Sequence, residues 1–304
     1  MAGELKLVKP VGASPHVTCY DASGTVEVAD KAGRFAVGDA VLTRLFGPAP
    51  GVESKTPWFR GSMAEFCVAR AENCVKKPSN VSFEEAASVP LAGMTAYQAL
   101  KGVQAGQSVF ISGGAGGVGS LAIQLAKHVF KAGRVVTTAS AGAKTELCKS
   151  LGADEVVDYT SEKFEEKLQR DFDLCFDCTA ESTKMIKIVK KGGKIRSISG
   201  SPTLEAIRGA GGDSCILGLV LKKSAARAEF IETAAVGATW DYFFLSPSGD
   251  DLQALADALQ AGHVKPVVDG VWDFASDDDE KGWRGAFSKQ FSGRAKGKCV
   301  VKMI

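Results

Sequence analysis

Between Leu91 and about Gly200, short apolar runs alternate with stretches whose apolar residues recur at helical spacing. The runs at 109–112, 134–139, 155–158, 174–178 and 194–199 predict five strands. Helices are predicted between them, near 117–131, 142–151, 161–169 and 181–190. In the first of these, Val118, Leu121, Ala122, Leu125, Ala126 and Val129 fall on one helical face. Strand and helix in regular alternation predict a parallel sheet covered on both faces, a doubly wound α/β fold.

The flanks carry a different pattern. Before Pro90 there are short β-type runs at 25–28, 40–45 and 64–69, punctuated by Gly, Pro and Asp. Gly38-Asp39 signals a turn into the second run, and Pro48, Pro50 and Pro57 make 47–60 a loop. This region reads as a small antiparallel, barrel-like domain. After about 210 the pattern predicts a strand at 239–245, a helix at 249–261, β character at 266–272 and a last strand at 298–303. The acidic run Asp277-Asp278-Asp279-Glu280 leads into a helix at 281–291, whose positive N-terminal end favours negative charge.

Composition narrows the function classes. A chain of 304 residues, 45% hydrophobic and 24% charged, has the make-up of a globular protein with room for two domains. Its net charge of +2 gives no electrostatic support for nucleic-acid binding. The apolar run 215–221 stops at Lys222 and Lys223, too short for a membrane span, and MAGELKLVKP has no signal-peptide core. The eight cysteines, among them Cys215, are scattered rather than framed for disulfides, which points to a reducing compartment, the cytosol. Cys175 and Cys178 have C-x-x-C spacing, but they lie in a strand-like run, and no second ligand pair accompanies them. They read as two strand cysteines.

The chemistry lies in SVFISGGAGGVGSLAIQLAK, residues 108–127. Gly114, Gly116 and Gly119 match the dinucleotide fingerprint, with a strand before and an amphipathic helix after. The turn Gly114-Ala115-Gly116-Gly117-Val118-Gly119 would then present backbone N–H groups and the helix N-terminus to a diphosphate. An NAD site places an acid at the end of the second strand to hold the ribose hydroxyls. Here that end reads VVTTASAGAK, without an acid, and Ser140 and Lys144 are available to a 2′-phosphate. The expected cofactor is NADPH.

The segments DASGTVE (21–27), FAVGDAV (35–41), GSMAEFCVA (61–69), VPLAGMTAYQAL (89–100), SLGADEVVDY (150–159), FDLCFDCT (172–179), KGGKIRSIS (191–199) and SGRAKGKCVV (292–301) surround that turn in order. With them the chain resembles the zinc-free quinone oxidoreductase and alkenal (enone) reductase branch of the medium-chain dehydrogenase/reductase superfamily. The resemblance implies a Rossmann doubly wound parallel sheet at 93–267. Around it would sit a GroES-like β-barrel-type domain from 1–92 and 268–304, shortened at its N-terminus, which would leave the pocket more open. It implies that Ser140, Lys144, Tyr159 and Arg294 surround the 2′-phosphate and that Thr95 lies close to the nicotinamide. Thr179 and Ser199, after the fourth and fifth strands, fall at the cofactor-facing carboxyl ends. It also implies pairing of two copies through Rossmann sheet edges, near 239–245.

Zinc-dependent members carry a Gly-His-Glu motif and a four-cysteine lobe. This chain has Thr18-Cys19-Tyr20-Asp21 at the first and lacks the second, and His16, His128 and His263 do not assemble with cysteines into a site. The resemblance implies an NADPH-dependent reductase of quinones or α,β-unsaturated carbonyls, with hydride delivered by the cofactor. No paired acid and base is legible, so no catalytic residue is named. Trp58, Phe59, Tyr242, Phe243 and Phe244 are candidates to line an apolar pocket. Two alternatives stay open: an NADPH-binding regulatory or structural protein with little catalysis, and a 2-enoyl thioester reductase.

Overall fold

A computed structural model describes residues 18–29, 31–45, 61–200 and 225–303. The N-terminal stretch with His16, the loop at 47–60 with Trp58 and Phe59, and the run 215–221 with Cys215 lie outside the described residues.

The chain divides into two compact units, Met1–Met94 with Ser246–Ile304, and Thr95–Leu245. The first opens with β1 (Asp21–Thr25), β2 (Ala40–Arg44) and β3 (Cys74–Lys76), an antiparallel sheet in that order. Of the three runs predicted here, only 40–45 is the strand expected. The first strand ends where 25–28 begins, since its register stops at Thr25 opposite Ala40. The run 64–69 is irregular: the preceding amides of Ser62 and Met63 donate to the carbonyls of Cys19 and Thr18, and Phe66 and Val68 are exposed. Its alternation therefore marks no buried face.

Two helices follow, α1 (Phe83–Ala87) and α2 (Pro90–Leu100). Ser82 and Glu85 close a reciprocal capping box on α1. The N-terminus of α2 is held from a distance, because Asp21 Oδ1 accepts the Leu91 N–H at 2.8 Å.

The second unit is built on β4 (Ser108–Ile111), α3 (Gly117–Gln124), β5 (Arg134–Ala139), α4 (Ala143–Ser150), β6 (Glu155–Asp158), α5 (Phe164–Lys167), β7 (Phe172–Asp177), α6 (Ser182–Met185), β8 (Val189–Ser197), α7 (Ala225–Ala235) and β9 (Thr239–Tyr242). The six strands form one parallel sheet in the order β6-β5-β4-β7-β8-β9. Its register lines up Val136, Phe110, Cys175, Ile195 and Trp240 across five strands. All five are buried in one cluster, where Phe164 and Phe172 lie 4.6 and 5.7 Å from the Phe110 ring. That row explains the apolar runs: a parallel strand is covered on both faces.

Three predicted helices differ from what forms. The stretch 117–131 is α-helical only to Gln124 and then takes a π-helical turn over Leu125–Val129, with the Phe130 N–H donating to the Leu125 carbonyl at 2.9 Å. Residues 161–163 stay out of α5 because the Asp158 side chain and carbonyl hold the turn at Thr160–Glu162. α6 stops early because the next strand already begins at Val189.

The first unit is completed by α8 (Gly249–Gln260), β10 (Val268–Asp273), α9 (Trp283–Phe291) and β11 (Lys298–Lys302). β10 and β11 pair in parallel. The second junction between units falls at 245/246, where the sequence placed it at 267/268. The cause is that α8 packs on β3, and Asn80 Nδ2 donates to the carbonyl of Leu259 near its end at 2.9 Å. Among the described residues no helix is long and apolar enough to cross a membrane.

Candidate functional site

The glycine turn leaves β4 at the centre of the parallel sheet and enters α3. Its backbone is tied to the neighbouring strand: the Gly113 N–H donates to Thr138 Oγ1 and the Gly114 N–H to the Thr138 carbonyl, both at 2.9 Å. In return Thr137 Oγ1 donates to the Ile111 carbonyl at 2.6 Å. Two glycines are dictated by space. A Cβ on Gly114 would overlap the Thr137 side chain, and one on Gly119 would overlap the backbone of Gly113 and Gly114. Gly116 is the N-cap of α3 and offers no side chain, so no capping group covers the amides of Gly117, Val118 and Gly119. Ala115 is buried in the turn.

The register places the next residues side by side. Ala139 pairs with Asp158, so Ser140 and Tyr159 continue from adjacent strand ends. Gly142, at φ +80°, turns the chain into α4, and the Ser140 carbonyl accepts from Thr145 Oγ1 at 3.1 Å. Lys144 lies in the first turn of α4, half-buried, with no ion pair among the described residues. The ring of Tyr159 is 57% exposed, so it is no packing aromatic. Asp158, one residue before it, accepts from Thr160 N–H and Oγ1 and from Ser161 Oγ. Those bonds, led by the Thr160 hydroxyl, hold its carboxyl below the usual range.

A second cluster occupies the carboxyl ends of β4, β7 and β8, and its centre, Asp177, is absent from the residues that the sequence singled out. Asp177 is fully buried. Its carboxylate accepts from the amides of Thr179 at 3.1 Å and Glu181 at 3.0 Å, and from the hydroxyls of Ser182 at 2.6 Å and Ser197 at 3.1 Å. Ser112 Oγ approaches at 3.4 Å and also accepts the Cys178 N–H. The Ser199 N–H donates to Ser197 Oγ, and Ser199 Oγ to the Cys178 carbonyl. Thr179 is exposed and touches the glycine turn, since a Cβ on Gly113 would stand 2.9 Å from its methyl group. The only sequence signal for Asp177 is a carboxylate inside an apolar strand run, a residue type rarely buried without partners.

Burial, then the charge of Asp177, pushes the thiols of Cys175 and Cys178 well up. Cys175 is buried and Cys178 half-buried, both protonated thiols without the lowered pKa of redox pairs. Burial followed by the same charge also raises Tyr242. Tyr242 is core, its hydroxyl donating to the Ile198 carbonyl at 3.2 Å, and Phe244 packs on the same cluster with its ring 5.1 Å away. Phe243 lies under the Arg196 guanidinium at 5.6 Å. These three aromatics are thus engaged in packing. Thr95 is buried in α2. Arg294 belongs to the first unit, exposed in the turn after α9, where its N–H donates to Ser292 Oγ at 3.2 Å.

Among the described residues no group of three or more His, Cys, Asp or Glu is placed to hold a metal ion. At the position of the Gly-His-Glu motif, Asp21 is half-buried with its oxygens turned to the Leu91 amide and to Lys298 Nζ at 3.7 Å. That donor set does not fit zinc.

A six-stranded parallel sheet with a glycine turn between strand and helix defines a Rossmann-type α/β protein. A sequence profile described as "Zinc-binding dehydrogenase" matches residues 151–301. The chain is 36% identical over 293 residues to 2-methylene-furan-3-one reductase of Solanum lycopersicum, covering 95% of this chain and 64% of that protein. It is 34% identical over 295 residues to the chloroplastic NADPH-dependent alkenal/one oxidoreductase of Arabidopsis thaliana, again covering 95% and 64%. The chain thus spans somewhat less than two thirds of the length of these relatives. The solved quinone oxidoreductase of Coxiella burnetii superposes with a TM-score of 0.72 at 26% identity, over 94% of this chain and 78% of that one. The chain belongs to the medium-chain dehydrogenase/reductase superfamily.

Proposed function

We propose that this chain is an NADPH-dependent reductase of quinones or α,β-unsaturated carbonyls that works without zinc. The observation that carries the reading is the acid-free end of β5, where Ser140 and Tyr159 continue from adjacent strand ends and Lys144, in the helix that follows, has no ion pair among the described residues. A 2′-phosphate there meets a hydroxyl and an ammonium, the donors a dianion needs. The uncapped amides of Gly117, Val118 and Gly119 would hold the diphosphate, with Gly114 and Gly119 supplying the close approach that a side chain would block. Thr179 and Ser199 would face the nicotinamide end from their strand ends, Thr95 would lie close to the ring, and Arg294 would reach the 2′-phosphate. When bound, the cofactor supplies the hydride, and the protein orients it against an electron-poor carbon.

The tomato and Arabidopsis relatives, named as a furanone reductase and an alkenal/one oxidoreductase, support this substrate class. The unit Thr95–Leu245 would bind the cofactor and the discontinuous unit would be the GroES-like, substrate-shaping one. We place the protein in the cytosol, and β9, the edge strand of the parallel sheet, would be where two copies pair. The deciding experiment is a steady-state panel of ortho-quinones and short-chain enones with NADPH and NADH. NADPH oxidation that depends on an enone or quinone is expected. Cofactor binding with background turnover would replace this reading by that of a binding protein.

A further inference from the structure

We propose that Asp177 is the positioning residue for the nicotinamide end of the cofactor site, fixing Thr179 and Ser199 in register with the glycine turn. This rests on the reading of the chain as an NADPH-dependent reductase. Among the described residues, every hydrogen-bond partner of the carboxylate is an N–H or O–H: two amides, from Thr179 and Glu181, and three hydroxyls, from Ser112, Ser182 and Ser197. Among the described residues no lysine or arginine pairs with it. The donors come from after β4, after β7, from α6 and from β8, so one side chain gathers the ends of three neighbouring strands.

The loop it holds is one that the backbone would not choose. Ala180 sits at φ +63°, a left-handed conformation that costs a non-glycine residue. The amides on either side of it, Thr179 and Glu181, are the two that Asp177 accepts. Hydrogen bonds to a buried carboxylate are of the strong class and offset such strain. The hold has a chemical result at Thr179, whose hydroxyl donates to Glu181 Oε2 at 2.7 Å while Lys184 pins the other Glu181 oxygen at 2.7 Å. With its proton committed, the exposed Thr179 oxygen is an acceptor, suited to the N–H₂ of a carboxamide. Ser199 is reached through Ser197, whose hydroxyl oxygen takes the Ser199 amide and whose single proton is shared between Asp177 at 3.1 Å and the Ser199 carbonyl at 2.7 Å.

Two variants separate alignment from bulk stability. Asp177→Asn keeps the oxygen that serves Thr179 and Glu181, and its N–H₂ can donate to Ser182 and Ser197 once their hydroxyls reverse. Asp177→Ala leaves every donor without its acceptor. The readouts are kcat on an enone at saturating NADPH, and the Kd of 2′,5′-ADP, a probe of the phosphate end alone. Asp177→Ala is expected to lower kcat by about tenfold or more, with the 2′,5′-ADP Kd changed by less than about twofold, and Asp177→Asn to restore kcat to within about threefold. An unchanged kcat in Asp177→Ala, or a 2′,5′-ADP affinity that falls in step with kcat, overturns the proposal. Should Asp177→Ala fail to fold, Ser197→Ala severs the link to Ser199 and removes one hydroxyl from Asp177, leaving the Thr179 and Glu181 amides in place. It is expected to lower kcat with 2′,5′-ADP binding intact, and an unchanged kcat overturns the proposal there too. A folded wild-type chain that neither binds 2′,5′-ADP nor oxidises NADPH removes the functional reading itself, a failure visible before any variant is made.

Discussion

Lys144 stands in the first turn of α4 with no ion pair among the described residues, although many lysines of the second unit are in ion pairs. The acid at the end of the adjacent strand, Asp158, has its oxygens occupied by Thr160 and Ser161. Lys144→Ala should therefore weaken NADPH binding by about tenfold and NADH binding by less than about twofold, measured as dissociation constants by cofactor fluorescence. Equal losses would remove the phosphate contact. The glycine turn and the acid-free β5 end could be read from sequence because they are local: spacing, period and residue type are all within one strand–helix unit. Asp177 could not, since its donors lie in four segments that only the sheet brings together.

At the scale of elements, α2 shows how one helix end depends on a distant strand. Arg196 of β8 donates from Nη1 to the carbonyls of Gln98 and Ala99, both at 3.1 Å, which satisfies the last turn of α2 and places a cation at its negative end. Its other nitrogens grip Asp241 on β9. Arg196→Met keeps the aliphatic stem and should cost about 1–3 kcal/mol, read as a lower urea midpoint with an unchanged slope. Asp241 is 37% exposed, so its half of the interaction contributes the smaller share. The parallel sheet was legible almost strand for strand, with Arg134–Ala139 and Glu155–Asp158 falling on their predicted bounds. The short helices α5 and α6 were overestimated because hydrophobic period does not register an Asx-type turn or an early strand start. In the first unit, β3 was missed for a related reason: three residues are too few for a period.

For the molecule as a whole, the largely shielded carboxyl of Asp21 ties the β1–β2–β3 sheet to α2 and also gives the fold a pH dependence. Burial raises its pKa above the ordinary value, more than Lys298 and the Leu91 amide lower it. The native state then holds this proton more tightly than the unfolded chain. Its contribution is full below the unfolded value of about 4 and is lost as pH rises through the higher folded value. Asp21→Asn keeps an acceptor for Leu91 and should flatten that decline, seen as a smaller fall in urea midpoint from acidic toward neutral pH. The same long-range wiring sets the order in which the molecule becomes competent. Ser112 lies 65 residues before Asp177, and Ser197 a further 20 beyond it. Closing such loops costs entropy before any hydrogen bond repays it. A chain growing from the ribosome can complete its glycine turn early, yet the carboxylate has no full set of donors until β8 has emerged. The cluster around Asp177 then takes its shape well after the glycine turn, and a truncation before Ser197 would leave that turn without a complete cluster beside it.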